Sequence, residues 1–186
     1  MRLLLVSCAL VALAACHQAA ERNAQENAPA AQAGPVKGVD RSHRGKPAPD
    51  ATFKDPDGED TSLGDISDKP KLVNLWATWC APCVKELPTL DALAEKAGPV
   101  DVIAVSQDSG PHASVVAFLE HSKIRKLEAY QDPGMALSGA SGAEVLPTSI
   151  LYDAQGREVW RYVGDLDWTS PEAARLIAEG AAPQKG

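Results

Sequence analysis

The sequence predicts an α/β domain with a central mixed β-sheet flanked by helices, occupying residues 46–186. Two observations point there first. Lys71–Ala77 (KLVNLWA) and Val100–Ser106 (VDVIAVS) are near-continuous apolar runs, the pattern of strands buried on both faces of a sheet. Each leads toward a segment of helical periodicity. The third observation is a pair of later strands around a tight-turn signal, which adds antiparallel pairing and makes the sheet mixed.

The elements follow in order. Ala51–Lys54 is a short strand candidate, and Asp55-Pro56-Asp57-Gly58 is a turn by composition. Lys69-Pro70 bounds the first buried strand. From Cys83 to Ala97 the apolar residues Val84, Leu87, Leu90, Leu93, Ala94 and Ala97 fall at helical spacing, and Gly98-Pro99 stops the helix. Pro88 lies inside it and is expected to kink it. Ala113–His121 is a second helix, with Val116, Phe118 and Leu119 on its apolar side. Pro147–Tyr152 and Glu158–Val163 flank Asp153-Ala154-Gln155-Gly156, a hairpin signal with a glycine free to adopt positive φ. Pro171–Gly180 is a C-terminal helix with Ser170 as its N-cap.

The beginning of the chain has another logic. Arg2 precedes an apolar run, Leu3–Ala15, that is too short to span a bilayer but has the length of a signal-peptide core. It ends in Leu13-Ala14-Ala15-Cys16, which resembles the lipobox of bacterial lipoprotein precursors. That resemblance implies cleavage after residue 15 and acylation of Cys16. An ordinary secretory signal with a chance cysteine is the alternative. Residues 17–45 are rich in Ala, Gln, Asn and Pro and almost free of large apolar residues. They are expected to be a flexible tether with an r.m.s. span of about 30 Å. The basic residues near its end, Arg41, His43, Arg44 and Lys46, are expected to be solvated.

Composition limits the function. The formal net charge of −7 comes with no basic stripe, which argues against a nucleic-acid partner. Of four cysteines, Cys8 leaves with the signal and Cys16 is used for lipid, so Cys80 and Cys83 remain. Residues three apart close almost no loop, so a bond between them stabilises the fold little. Redox chemistry explains the pair better.

The pair sits in Trp79-Cys80-Ala81-Pro82-Cys83, where a buried strand hands over to a helix. Free N–H groups and the positive end of the helix dipole lower the pKa of a cysteine placed there. Cys80 is the expected nucleophile. Cys83, one turn inside, would attack the mixed disulfide and release product. Pro82 suits a first-turn position, where no N–H is needed. A zinc site would need four ligands, and there is no second C-x-x-C. A serine hydrolase would need a nucleophile elbow, also absent.

KLVNLWATWCAPCVKELP resembles the active-site segment of the TlpA/ResA-like branch of thioredoxin-family proteins, and LPTSILYDAQGREV resembles the second signature of that branch. The resemblance covers about residues 46–180 and implies a thioredoxin-like fold. It implies that the Leu146–Pro147 bond is cis and faces the disulfide. Thioredoxins carry a buried Asp where this chain has Asn74; the TlpA/ResA branch has instead a helix Glu, matched by Glu86. Glu86 lies one turn after Cys83, on the same helix face, and could move a proton to or from the buried thiol. Trp79 is expected to shield the thiols and touch substrate, whereas Trp76, Trp160 and Trp168 are expected to pack.

By resemblance the function is that of a periplasmic protein-disulfide reductant with no cofactor beyond the Cys80–Cys83 pair. Its substrates would be apocytochrome c or oxidase-assembly cysteines, and its electrons would come from a membrane thiol transporter of DsbD/CcdA type. Three alternatives stay open. The pair could serve an oxidase or isomerase, since direction depends on potential. Segment 47–65 resembles the start of redoxin and peroxiredoxin domains, but Val73 and Ala77 replace the Pro and Thr/Ser of the peroxidase pattern. Two thiolates could also hold Cu(I) in a binding module.

Overall fold

Strand β4 (Lys71–Trp76) is buried along its whole length, and the sheet is built outward from it. The computed structural model describes residues 37–96 and 98–181. The expected signal segment, Cys16 and most of the expected tether lie outside the described residues.

In chain order the remaining elements are β1 (Gly38–Asp40), β2 (Phe53–Lys54), β3 (Asp60–Thr61) and α1 (Leu63–Ile66) ahead of β4. After it come α2 (Ala81–Glu95), β5 (Asp101–Ser106), α3 (His112–His121), β6 (Tyr130–Gln131), α4 (Ala136–Ser141), β7 (Thr148–Tyr152), β8 (Glu158–Val163) and α5 (Pro171–Ala181). The eight strands form one mixed sheet in the order β1-β8-β7-β4-β5-β6-β2-β3. β4 pairs parallel with β5 and antiparallel with β7. The fold is thioredoxin-like, as the sequence led us to expect.

Alternation along β4 assigns its two faces. Leu72 and Trp76 join Leu87 and Leu90 of α2, Val115 and Leu119 of α3, and Leu176 and Ile177 of α5. Val73 and Leu75 join Leu63 of α1 and Leu137 of α4 on the other side. Trp76, Trp160 and Trp168 are fully buried, each filling the first of these cores.

The structure adjusts several expectations. The ordered domain begins before residue 46, because β1 pairs with β8. Arg41 and Arg44 are not merely solvated; both reach Glu179 of α5, at 2.5 and 3.3 Å. Helix α2 starts at Ala81 rather than Cys83, with Pro82 in its first turn, and runs through Pro88. Five short elements, β1, β3, α1, β6 and α4, have no counterpart in the sequence reading.

Candidate active site

Cys80 is the N-cap of α2, and its Sγ accepts a hydrogen bond from the Cys83 N–H at 3.3 Å. The two cysteines form a disulfide, with Cα atoms 5.2 Å apart. Cys80 retains 7% of its surface and Cys83 none, so only Cys80 is open to attack from solvent. Ala81 and Pro82 are exposed beside it, and Trp79 is 67% exposed. The strand-to-helix handover produces this arrangement. β4 ends at Trp76, a tight turn follows, and α2 presents its free N–H groups to sulfur.

The turn is held from the side by Asp108, just beyond β5. Its carboxylate accepts from the Thr78 N–H at 2.9 Å, the Thr78 hydroxyl at 2.7 Å and the Ser106 hydroxyl at 2.6 Å. Gln131 of β6 donates to the Asp108 and Gly110 carbonyls at 2.6 and 2.9 Å. Sequence reasoning missed these residues.

On the opposite side stands the loop before β7. The Leu146–Pro147 peptide is cis, the geometry the resemblance implies. Thr148 Oγ1 donates to the Val145 carbonyl at 2.7 Å, and the Gly164 N–H donates to the Pro147 carbonyl at 2.8 Å. Further back, Arg161 of β8 donates to the Ser141 carbonyl at 3.0 Å, while Glu158 holds the same guanidinium at 2.7 and 2.8 Å. This buried pair therefore steadies the segment that leads into Leu146 and Pro147.

Glu86 is on the buried side of the disulfide helix, 3% exposed. Asn74 Nδ2 donates to its Oε1 at 2.8 Å and to Ser149 Oγ at 2.9 Å, and the Leu166 N–H donates to Oε2 at 3.0 Å. Burial pushes the carboxyl from 4.5 up to about 7; the Leu166 and Asn74 donors pull it back, and Asp165 repels it further. The Trp168 indole N–H also lies near the carboxylate without completing a hydrogen bond. Cys83 and Glu86 are one helical turn apart and both buried, so the carboxyl and the inner sulfur share one dry side of α2.

Among the described residues, no group of three or more His, Cys, Asp or Glu side chains converges as a metal site. A cavity of about 410 Å³ is lined by residues that include Lys71, Tyr152 and the segment Pro47–Asp50. Lys71 and Tyr152 are paired residues at the end of the sheet away from the disulfide, so this cavity is separate from the cysteine site.

Comparison with known proteins agrees with this chemistry. The sequence matches the Redoxin family over residues 43–177. It is 34% identical over 123 residues to the thiol-disulfide oxidoreductase ResA of Bacillus thuringiensis (strain Al Hakam), covering 65% of this chain and 70% of that protein. It is 34% identical over 140 residues to the thiol:disulfide interchange protein DsbE of Pseudomonas fluorescens biotype C, covering 72% and 76%. Among solved structures, a putative thiol-disulfide oxidoreductase from Bacteroides vulgatus superposes with a TM-score of 0.63 at 29% identity, covering 74% of this chain and 96% of that one.

Proposed function

The chain belongs to the Redoxin family and is a thiol–disulfide oxidoreductase of TlpA/ResA type, and from that premise we propose that it is a membrane-tethered periplasmic reductant of protein disulfides. The observation that carries the direction is Glu86, 3% exposed and one turn from Cys83. Strong disulfide oxidants stabilise their reduced thiolate form. A buried carboxyl beside the inner sulfur does the reverse, since its charge disfavours thiolate. The disulfide is then the favoured product, and the dithiol gives up its electrons readily.

The steps follow from the geometry. Reduced Cys80, at the helix start and partly exposed, attacks one sulfur of the substrate disulfide. The substrate's other sulfur leaves as a thiol, and a mixed disulfide on Cys80 results. Cys83 then attacks Cys80 and releases the second substrate thiol, while Glu86 takes the proton from Cys83. Trp79, Pro82, Leu146 and Pro147 form the face against which the substrate segment lies. Apocytochrome c or oxidase-assembly cysteines are the substrates this reading favours. A membrane thiol transporter of DsbD/CcdA type would restore the dithiol, and acylated Cys16 would hold the protein at the membrane.

The reduction potential against glutathione tests the direction. A reductant gives a value near or below about −250 mV, whereas a value near −120 mV makes the protein an oxidant. Fractionation tests the tether: Cys16→Ala should move the protein out of the membrane fraction or leave its precursor uncleaved.

A further inference from the structure

Lys71 opens β4 and is only 7% exposed. Its ammonium donates to the carbonyls of Ser67 and, at 3.2 Å, Lys69. That occupies two of its three protons; the third has no acceptor among the described residues. Lys71 makes no ion pair among these residues either. The carboxylates that act on it, Asp101 and Asp68, do so from beyond contact, and Asp101 is already paired with Lys69 at 3.2 Å. Burial pulls its pKa below the ordinary value. A buried charge has lost its water and is normally met by an opposite one.

What Lys71 meets is a cavity. Lys71 and Ser67, whose carbonyl the ammonium holds, both line the space of about 410 Å³ described above. Tyr152 lines it too. It lies opposite Lys71 in register and is 2% exposed, and its hydroxyl makes no hydrogen bond among the described residues. Pro47, Pro49 and Leu63 supply apolar wall, and the carboxylates of Asp50 and Asp68, both exposed residues, border the same space. The walls are held by the fold. The Ala48 N–H donates to the Gly156 carbonyl at 2.7 Å and the Glu158 N–H to the Lys46 carbonyl at 2.8 Å, which ties the segment around Pro47 to the β7–β8 turn. Ser62 and Asp65 cap α1, which carries Leu63, with the Ser62 N–H 3.0 Å from Asp65 Oδ2.

We propose that this cavity binds a small apolar α-amino acid as its zwitterion. The ligand's carboxylate accepts from the Lys71 ammonium and the Tyr152 hydroxyl, its ammonium turns to Asp50 and Asp68, and its side chain lies on Pro47, Pro49 and Leu63. One buried cation suits one negative charge. A dianion such as phosphate would bring a surplus charge beside two aspartates, where like charges repel. The volume falls in the range of small-molecule sites, about 300–1,000 Å³. Lys71 stands at the opposite end of β4 from the turn to Cys80, so binding involves neither cysteine and is independent of the direction of disulfide exchange.

The test titrates leucine into the full chain, isotope-labelled for amide NMR and held in detergent. Saturable shifts at the cavity residues Ala48, Ser67 and Ala154 are the expected result, and their absence overturns the site. Leucinamide lacks the carboxylate and isocaproate lacks the ammonium; each should bind at least about tenfold more weakly than leucine. Leucinamide binding as well as leucine overturns the role of Lys71, and isocaproate binding as well overturns that of Asp50 and Asp68. Inorganic phosphate shifting the same amides at equal affinity would make this a general anion site and overturn the amino-acid reading. Lys71→Met should abolish leucine binding. Tyr152→Phe removes the hydroxyl alone and should weaken binding about tenfold or more, with disulfide reduction unchanged. Parental leucine affinity in either folded variant overturns the proposal; if Lys71→Met does not fold, Tyr152→Phe and the ligand series decide.

Discussion

Glu86 is a residue whose ionisation differs between the folded and the unfolded protein on the acid side of neutrality. Its carboxyl is pushed to about 7 in the fold, against an ordinary 4.5, chiefly because burial disfavours the charge. Between those values the folded state holds the proton and the unfolded chain does not. Raising the pH therefore removes stability across that window: the contribution is fully present below 4.5 and lost as pH passes through about 7. Glu86→Gln abolishes this dependence. Denaturant unfolding of the oxidised parent and variant should show the parent losing up to about 3 kcal/mol relative to the variant across the window. Parallel stability curves would mean that the carboxyl does not hold a proton there. The cysteine pair was legible in the sequence because its spacing is local; Glu86 was found through the family resemblance, with its one-turn offset from Cys83 in support. Asp108 and the Glu158–Arg161 pair were not. Asp108 meets Thr78 across 30 positions, and Arg161 reaches Ser141 across 20, so no periodic pattern announces either contact.

At the scale of elements, the long apolar strands and the long helices were readable, since each carries its own repeat. β6 and α4 were not. β6 has two residues, held by pairing with β5 and β2. The N-terminal N–H groups of α4 are taken by the side chain of Asp132, at 2.9 Å from both Ala136 and Leu137. Such elements are fixed by their neighbours rather than by propensity. A related device joins the disulfide helix to the loop before β6. Asp91 of α2 accepts from the backbone N–H groups of Arg125, Lys126 and Leu127, at 3.1, 2.7 and 2.9 Å. Asp91→Ala leaves these donors without their acceptor and should cost about 1–3 kcal/mol in urea unfolding. Disulfide exchange should survive, because Asp91 lies more than two turns from Cys83 on the same helix. A loss of activity without a loss of stability would give Asp91 a different role.

The described residues form one sheet, and that sheet has two borders. β1 closes one with three residues and β3 the other with two. Behind β1 runs β8, six residues long and buried but for its last position. Deleting residues 37–40 should bare β8 and produce concentration-dependent association, visible in sedimentation velocity; a truncated chain that stays monomeric would show that β1 guards nothing. Short, charged border strands discourage pairing with another chain, and Asp40 and Asp60 supply the charges here. A protein that trades covalent bonds with its clients must also let go of them. Strand addition would leave each client stuck by a ladder of backbone bonds that no thiol could cut. With both borders clipped short, the grip that outlasts an encounter is the one through sulfur, and Cys83 is placed to release it.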